Sequence, residues 1–258
     1  MTDLKQARIL VTRPAYQAEN LCNLIRENNG IPIRLPTLEI IPILLDASEI
    51  EQYLTQANSV IFTSVNAVRL YCSQLDDAKM QQLKTKSCFA IGQATAQSLE
   101  TVGVSVDLMP KQGYNSEALL NLTTLQQVSQ QDIVIIRGEN GRETLADVLT
   151  QRGAKVSYQN VYRRAIPDID CSDVVTLIKQ KQLDFLSITS GEAIQNLVTM
   201  LPKMQHDLLK KIPLVVVSER IETIAKSLGF QRIERTQAPS DDAILKTITT
   251  IINGEESG

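Results

Sequence analysis

The sequence repeats itself in two kinds of block, and this repetition constrains the fold more than any other feature. The first kind, block A, fills residues 9–36 and returns at 133–160. Each copy is typical of a strand, a loop, a helix and a second strand, with Gly30 and Gly153 expected to end the two helices. We therefore expect both copies to form the same strand–helix–strand unit.

The second kind, block B, begins with VIFTSVNAV and returns as LSITSGEAI, which aligns Ser64 with Ser190 and, further on, Gly103 with Gly229. The chain order is therefore A, B, A, B. We expect Ser64 or Asn66 to cap the helix of the first copy and Ser190 to cap that of the second, because their side chains accept hydrogen bonds from unpaired backbone N–H groups. Gly103 and Gly229 are expected to end helices.

Every strand-like run is followed by a segment with helical periodicity, which is the signature of βαβ units around parallel sheets. The strand-like runs are residues 8–12, 59–62, 88–91, 133–136, 184–188 and 214–217. The sequence therefore predicts an α/β protein.

Two proline-containing stretches lie outside the repeat, at 37–46 and 161–170, and both favour β-structure. A tandem arrangement would instead place the link between domains near 123–131. We expect the two stretches to be inter-domain linkers, with the middle of the chain inserted into a domain built from both ends. The expected domains are residues 1–36 together with 171–258, and residues 47–160.

Composition argues against several functional classes. The 258 residues carry a formal net charge of −3 and only 4% of them are aromatic, so neither nucleic acid nor an anionic membrane is an expected partner. No apolar run reaches the roughly 18 residues that cross a bilayer, and the first residues do not resemble a signal peptide, so we expect a cytoplasmic protein. The four cysteines are widely spaced and the only histidine is His206, so no metal site is expected.

The predicted strands end in residues that suit an anionic ligand. In a parallel sheet the carboxyl ends of the strands form the ligand-binding edge, where each following helix presents N–H groups and the positive end of its dipole. The residues at these ends, with the loop residue Arg142, are Arg13, Thr63, Ser64, Gly92, Arg137, Gly138, Thr189, Ser190 and Ser218. Taken singly, such residues are helix caps, turn glycines and surface ion pairs. Their recurrence in both halves favours a binding site for carboxylates or phosphates.

Familiar nucleotide-binding and catalytic motifs are absent from the sequence. It has neither a G-x-G-x-x-G turn nor a P-loop, so a nucleotide cofactor is not expected. His206 lies in a polar segment, which does not suit a Ser-His-Asp triad. Tyr162, in VYRR, is a candidate acid or, alternatively, an aromatic that packs within the linker.

Seven motifs in series, over nearly the whole chain, resemble the uroporphyrinogen-III synthase family. They are LVTRP, IFTSVNAV, AIGQATAQSL, SEALL, RGENGRETL, VYRR and ITSGEAIQNL. The resemblance implies two flavodoxin-like domains, each with a doubly wound parallel sheet, joined by a two-stranded β-ladder. It also implies that the N-terminal βαβ unit belongs to the C-terminal domain, in agreement with the two expected linkers.

The activity that the resemblance implies is a cyclising hydro-lyase reaction without a cofactor. The substrate, hydroxymethylbilane, is a linear tetrapyrrole that is closed with inversion of ring D and loss of water, giving uroporphyrinogen III in tetrapyrrole (haem-type) biosynthesis. Its acetate and propionate carboxylates are the anions that the strand-end residues would bind. A transient contact with the preceding enzyme of the pathway is left open, and we expect a monomer.

Carried over residue by residue, the family's tyrosine falls on Tyr162, where it implies a proton donor for loss of the hydroxyl group. The candidate binding residues that complete the set are Asn66, Thr95 of the G-x-x-T-A element, Gly191 and Arg220. One departure is found in the second copy of that element, where Ser218 stands at the glycine position and Ile221 at the threonine position. Ser218 and Arg220 are therefore the candidate substitutes there.

Two alternatives come from other functional classes. A non-catalytic two-domain protein that binds a small polyanionic ligand would share these features, although neither a DNA-binding helix-turn-helix nor an export signal accompanies them. A purely structural α/β module would not need Arg, Thr, Ser and Gly at the strand ends of both halves.

Overall fold

The structure is a computed structural model that describes residues 3–113, 115–141 and 143–254. Its strands are β1 Arg8–Val11, β2 Ile31–Arg34, β3 Glu39–Pro42, β4 Ser59–Phe62, β5 Ser87–Ala90, β6 Asp132–Gly138, β7 Lys155–Ala165, β8 Phe185–Ile188, β9 Leu214–Val216 and β10 Ile233–Arg235. Its helices are α1 Ala15–Glu27, α2 Ala47–Gln56, α3 Val65–Cys72, α4 Asp77–Lys84, α5 Gln93–Thr101, α6 Ser116–Leu120, α7 Thr123–Gln126, α8 Thr144–Gln151, α9 Ser172–Lys179, α10 Gly191–Met200, α11 His206–Leu209, α12 Glu219–Ser227 and α13 Asp241–Ile252. A short 3-10 helix spans Lys203–Gln205.

The chain divides into two compact units. Unit 1 contains Met1–Glu39 and Ala165–Gly258, and unit 2 contains Ile40–Arg164. Each unit has its own five-stranded sheet. The chain is therefore an α/β protein with two largely parallel sheets.

The sheet of unit 1 has the strand order β10-β9-β8-β1-β2, and each neighbouring pair is parallel. Because successive side chains of a strand point to opposite faces, β1 contributes to two cores. Leu10 and Leu186 pack with α9, α10 and α12, whereas Ile9 and Val11 pack with α1 and α13. Helices thus cover both faces of this sheet.

The sheet of unit 2 has the strand order β3-β7-β6-β4-β5. The pairs β7/β6, β6/β4 and β4/β5 are parallel, and an isolated parallel bridge joins Phe89 to Leu108. Val60 and Phe62 pack with α2, α3 and α5, whereas Ile61 packs on the opposite face with α6, α7 and α8. All six strand-like runs predicted from the sequence are strands in the structure.

The sequence repeat is visible in the strand order. In unit 1, β2, β1, β8 and β9 lie side by side, and their counterparts β7, β6, β4 and β5 lie side by side in the same order in unit 2. The counterparts come in a different chain order, because block A precedes block B in one unit and follows it in the other. Equivalent sequence blocks therefore occupy equivalent places in the two sheets.

Four helix ends predicted from the repeat are confirmed. Ser64 and Ser190 cap α3 and α10, each accepting a hydrogen bond from the backbone N–H three residues later, whereas Asn66 lies inside α3. After α5 and α12, Gly103 and Gly229 have φ angles of 75° and 87°, in the left-handed region that favours glycine.

The prediction that Gly30 ends α1 is wrong by one residue. Asn29, with a φ angle of 60°, takes the left-handed conformation there, as Gly153 does after α8 with 88°. Asparagine tolerates this conformation better than other side chains do. Gly30 instead provides space, because a Cβ atom there would lie 2.7 Å from Cδ1 of Leu4.

The two stretches expected to be linkers contain strand residues. β3 lies within 37–46, and residues 161–165 complete the 11-residue strand β7. The two strands are neighbours at one edge of the unit 2 sheet, where the N–H of Ile43 donates to the carbonyl of Val161 at 3.0 Å. Among the residues that the structure describes, no helix has the length and apolar character needed to cross a membrane.

Candidate active site

Unit 2 contains a cavity of about 460 Å³ at the edge of its sheet where β4, β5 and β6 end. The residues that line it are Thr63, Ser64, Ile91, Asn115, Ser116, Ile135, Arg137, Gly138, Glu139, Asn140, Gly141, Leu145, Tyr158, Tyr162 and Arg164. Hydroxyl, amide and guanidinium groups share this lining with the carboxylate of Glu139 and the aliphatic side chains of Ile91, Ile135 and Leu145. The cavity thus lies at the carboxyl edge of a parallel sheet, where the sequence predicts a ligand site.

Tyr162 is brought to the cavity by an irregularity in β7. Along the β6/β7 pairing, Arg137 is opposite Asn160 but Gly138 is opposite Tyr162, so the register shifts by one residue at Val161. Such a bulge re-aims the side chains that follow it. Tyr162 is only 3% exposed, and the N–H of Glu139 donates to its carbonyl at 2.8 Å.

Gly138 makes room for the ring of Tyr162. A Cβ atom at this position would lie 2.5 Å from Cε2 and 2.6 Å from Cζ of the tyrosine. Only a residue without a side chain can therefore stand opposite Tyr162 unless the ring moves. This close approach gives Gly138 a packing role beside the proposed acid.

The hydroxyl groups of Tyr162 and Ser64 lie 3.1 Å apart, and either can be the donor. Ser64 Oγ also accepts a hydrogen bond from the backbone N–H of Ala67 at 3.1 Å. The first turn of α3 thereby fixes the position of the serine hydroxyl. The next-door Thr63 hydroxyl donates to the carbonyl of Ile136 at 3.2 Å, which ties β4 to β6 at the cavity.

Arg137 also lines the cavity and is held on several sides. Its Nε donates to Oδ1 of Asn160 at 3.2 Å, and Nη2 donates to Oε1 of Glu143 at 2.9 Å. Its guanidinium carbon lies 3.5 Å from the ring centroid of Tyr158, which is a cation–π contact. The arginine therefore has a defined orientation and is not a mobile surface side chain.

The pKa values of the neighbouring groups follow from these contacts. The hydrogen bond from Tyr158, and next that from Arg137, hold the pKa of the Glu143 carboxyl below its usual range. Burial, and next the hydrogen bond to Glu143, raise the pKa of Tyr158 to about 12. At neutral pH, Glu143 is therefore ionised and Tyr158 is protonated.

Three other predicted residues of unit 2 lie at or near helix N-termini and do not line the cavity. Gly92 is the N-cap of α5, Thr95 is buried within the first turn of that helix, and Asn66 lies in the first turn of α3. None of these three is among the cavity-lining residues given above. Arg142 lies outside the described residues.

The predicted residues of unit 1 follow the strands of its own sheet. Arg13 forms an ion pair of 2.6 Å with Asp241, the first residue of α13. Ser190 caps α10, Ser218 caps α12, and Arg220 is exposed. The remaining predicted residues of this unit are Thr189, which follows β8, and Gly191, which begins α10.

Ser218 and Ile221 occupy the same positions in α12 that Gly92 and Thr95 occupy in α5. Ser218 takes the N-cap position of α12 that Gly92 takes in α5. Ile221 is buried at 2% exposure where its counterpart Thr95 is buried at 4%. The exchange therefore adds a capping hydroxyl at one position and an apolar side chain at the other.

Several cavity residues were missed by the sequence analysis. They are Ile91, Asn115, Ser116, Ile135, Glu139, Asn140, Gly141, Leu145, Tyr158 and Arg164. Ser116 begins the SEALL motif, Asn115 adjoins it, and Glu139 to Gly141 belong to GENG, so the motifs held a signal for some of them. Tyr158 has no such signal, because only the pairing of β7 with β6 places it beside Arg137. Within the described ranges, no group of three or more His, Cys, Asp and Glu side chains is arranged to hold a metal ion.

Solved structures with a similar fold include two that are named uroporphyrinogen III synthase or synthetase. A mutant uroporphyrinogen III synthase from Thermus thermophilus superimposes with a TM-score of 0.64 at 15% identity, over 96% of this chain and 100% of that one. The uroporphyrinogen-III synthetase of Helicobacter pylori 26695 gives 0.63 at 14% identity, over 95% and 99%. These likenesses establish a shared α/β fold.

Relatives and a family model match most of the sequence. The chain is 32% identical over 244 residues to the uroporphyrinogen-III synthase of Escherichia coli (strain K12), and 33% identical over 247 residues to that of Salmonella typhimurium. Each alignment covers 93% of this chain and 99% of the relative. The family model HEM4, described as uroporphyrinogen-III synthase HemD, matches residues 19–246. This chain belongs to the uroporphyrinogen-III synthase family.

Proposed function

We propose that this protein is a uroporphyrinogen-III synthase, which closes hydroxymethylbilane to uroporphyrinogen III with inversion of ring D and loss of water. The observation that carries the proposal is the family match over residues 19–246. The motif resemblance assigns the family's tyrosine to Tyr162, which lies within that range. The reaction needs no cofactor. We also propose that the enzyme is a monomer and is located in the cytoplasm.

The chemistry begins at the hydroxymethyl group of ring A. Its oxygen takes up a proton and leaves as water with the electron pair of the C–O bond, while the pyrrole nitrogen supplies the electrons that form an azafulvene. The azafulvene carbon then bonds to the substituted carbon of ring D, and the spiro intermediate breaks the bond between that carbon and the methylene bridge to ring C. Ring D recloses onto this methylene carbon through its free α carbon, which loses a proton as the pyrrole is restored and so balances the proton taken up in the first step. The azafulvene also closes unaided to the uninverted isomer, so positioning is the enzyme's main task.

Tyr162 is the proposed proton donor for the first step. Ser64 Oγ accepts the N–H of Ala67, so its own hydroxyl hydrogen can point to the oxygen of Tyr162. In that arrangement the phenolic hydrogen of Tyr162 is directed to another acceptor, such as the leaving hydroxyl of the substrate. The burial of Tyr162 and its contact with Gly138 support a fixed donor position.

The substrate carboxylates would bind at the cationic and N–H-rich parts of the cavity. Arg137 contributes a guanidinium group, and α3 directs the positive end of its dipole toward the side where Thr63 and Ser64 lie. We assign the corresponding strand-end residues of unit 1, including Arg13 and Ser190, to the same class of contact. Arg13, like Arg137, is paired with a carboxylate, in its case that of Asp241 at 2.6 Å.

We further propose that each unit is a flavodoxin-like, doubly wound domain. Numbered along the chain within unit 1, the strand order is 2-1-3-4-5, which is typical of flavodoxin-like sheets. The matching order in unit 2 supports the same assignment after circular permutation. The domains 1–36 with 171–258, and 47–160, linked by a ladder of 37–46 and 161–170, are part of this proposal.

The test is to supply the purified protein with freshly prepared hydroxymethylbilane, oxidise the products and separate the type I and type III uroporphyrins by chromatography. We expect type III to dominate. Production of type I alone, at the spontaneous rate, would refute the proposed enzyme function and favour a non-catalytic binding protein.

A further inference from the structure

Arg137, Glu143 and Tyr158 form a closed ring of contacts. One carboxylate oxygen of Glu143 accepts from Nη2 of Arg137 at 2.9 Å, and the other accepts from the hydroxyl of Tyr158 at 2.6 Å. The ring is completed by the Arg137 guanidinium, which stacks 3.5 Å from the Tyr158 ring centroid. The carboxylate of Glu143 therefore bonds to both Arg137 and Tyr158, and these two side chains also contact each other.

Glu143 acts on Arg137 from outside the cavity. Tyr158 lines the cavity and also a second, shallower depression, whereas Glu143 lines only the second one. The side chain of Glu143 is 56% exposed and that of Arg137 only 10%. The carboxylate thus contacts the guanidinium without occupying the space in which a ligand would lie.

Two further contacts hold the arginine, and one of them is from Nη1 to the carbonyl of Gly141 at 3.4 Å. Nε of Arg137 donates to Oδ1 of Asn160, which is the residue opposite Arg137 in the β6/β7 pairing. A long side chain that is ordered before binding does not lose its rotamer entropy when the ligand arrives. The strand register and the Glu143 carboxylate together order Arg137 in advance.

We propose that Glu143 and Tyr158 are positioning residues that hold the Arg137 guanidinium at the cavity wall in the orientation that receives a substrate carboxylate. This inference rests on the proposed function, because it assigns a carboxylate of hydroxymethylbilane to Arg137. The contribution of the pair is geometric, since neither residue donates a proton to the reacting carbon skeleton. Loss of the arrangement would leave the linear tetrapyrrole less constrained and increase spontaneous closure to type I.

The ionisation states at neutral pH suit this role. The carboxyl of Glu143 has a lowered pKa because of the hydrogen bonds from Tyr158 and Arg137, so it is an acceptor on both oxygens. Tyr158, whose pKa burial and Glu143 raise to about 12, keeps the hydrogen that it donates. The ring of contacts is therefore fully formed under ordinary assay conditions.

The test uses Glu143→Gln and Tyr158→Phe in the full chain, with Asp147→Asn as the matched control. Asp147 is an exposed carboxylate one helical turn beyond Glu143 that lines the shallow depression and not the cavity. We expect KM for hydroxymethylbilane to rise about tenfold in Glu143→Gln, kcat to change less, and the type I share of product to increase. Tyr158→Phe, which keeps the aromatic ring, should show a smaller change in the same direction, and Asp147→Asn should match the wild type.

Hydrogen exchange of the Arg137 side chain is measured alongside the kinetics. The ¹⁵Nη–¹H resonances of Arg137, assigned by their loss in Arg137→Lys, should exchange slowly with solvent in the wild type and faster in Glu143→Gln, because Nη2 donates to Glu143. Faster exchange with unchanged KM and unchanged isomer ratio would overturn the inference, as would slow exchange in all variants. A wild-type protein that yields no type III product would refute the proposed function itself, whatever the resonance shows.

Discussion

The hydroxyl oxygen of Tyr162 lies 3.1 Å from Oγ of Ser64, the residue that caps α3. A helix cap and a buried phenol are thus joined in one hydrogen-bonded pair, which ties the proposed acid to the positive end of a helix dipole. The pair depends on the bulge at Val161 and on the absence of a side chain at Gly138. Changes at these positions should therefore affect turnover through the geometry of Tyr162.

Replacing Tyr162 by phenylalanine removes the proposed proton donor but keeps the ring. We expect kcat to fall by about 10- to 100-fold and the product to remain largely type III, because loss of the hydroxyl is intrinsically easy and the cavity shape is retained. Steady-state kinetics with separation of the isomers would measure both. Wild-type turnover in this variant would leave Tyr162 with a packing role only.

Replacing Ser64 by alanine removes both the α3 cap and the hydrogen bond to Tyr162. We expect the free energy of unfolding to fall by about 1 kcal/mol and kcat to fall several-fold. Asp46→Ala is the matched control, because Asp46 caps α2 through Ser48 and Glu49 and does not line the cavity. Denaturant unfolding should give a similar loss of stability for both variants, with reduced turnover in Ser64→Ala alone.

A methyl group at Gly138 should be more disruptive than one at Gly191. In Gly138→Ala, the new Cβ meets the rigid ring of Tyr162 at 2.5 Å, whereas in Gly191→Ala it meets Cδ1 at the flexible end of Ile224 at the same distance. We expect Gly138→Ala to lower the free energy of unfolding by about 1–3 kcal/mol. Gly191 begins a helix, so alanine there should change it by less than about 1 kcal/mol. Equal losses in urea titrations would contradict this reasoning.

The cysteines should differ in reactivity toward an alkylating reagent. Cys22, Cys72 and Cys88 are buried, and burial raises the pKa of the Cys72 thiol to about 11 and that of Cys88 to about 12. Cys171 is only partly buried, although burial raises its pKa as well. Because the thiolate is the reactive form, iodoacetamide should label Cys171 first in the native protein.

Peptide mass spectrometry after timed labelling would identify the modified residue, with Cys171→Ser as the control that abolishes the fast phase. Labelling of Cys72 or Cys88 as fast as that of Cys171 would show that the unit 2 core opens readily. Unfolding the chain should make all four thiols reactive.

Stability should depend on the protonation of Tyr158 at alkaline pH. The pKa of this group is about 12 in the folded protein, raised from an ordinary value of 10.0 by burial and by the Glu143 carboxylate. The folded state therefore holds the proton more tightly, so the contribution is fully present below pH 10.0 and is lost as pH rises toward about 12. Over that range, the free energy of unfolding should fall more steeply in the wild type than in Tyr158→Phe.

Urea titrations at several pH values would measure the two slopes. The difference between wild type and variant isolates Tyr158 from the other phenols and thiols, which are common to both proteins. Identical slopes would mean that Tyr158 is more exposed to water than its contacts indicate.

Local patterns in the sequence predicted much of the fold. The alternation of strand and helix signals, the capping residues Ser64 and Ser190, and the glycines after α5 and α12 all depend on a few adjacent residues. The residue that ends α1 was predicted incorrectly, because Gly30 and Asn29 both suit a helix end and only packing against Leu4 requires glycine at position 30. Assignment to the family likewise followed from motifs in series.

The sequence by itself determined the α/β class, the repeated order of blocks A and B, and the kinds of side chain at the strand ends. These features follow from periodicity and spacing along the chain. Only the tertiary structure decided that Tyr162 meets Ser64 over Gly138, and that Glu143 and Tyr158 hold Arg137. The contact of Tyr162 depends on a bulge in the β6/β7 register, whereas the contacts of Arg137 depend on side chains from separate elements meeting in space. A one-residue change in register leaves the hydrophobic pattern readable in the sequence but changes which side chains lie opposite each other.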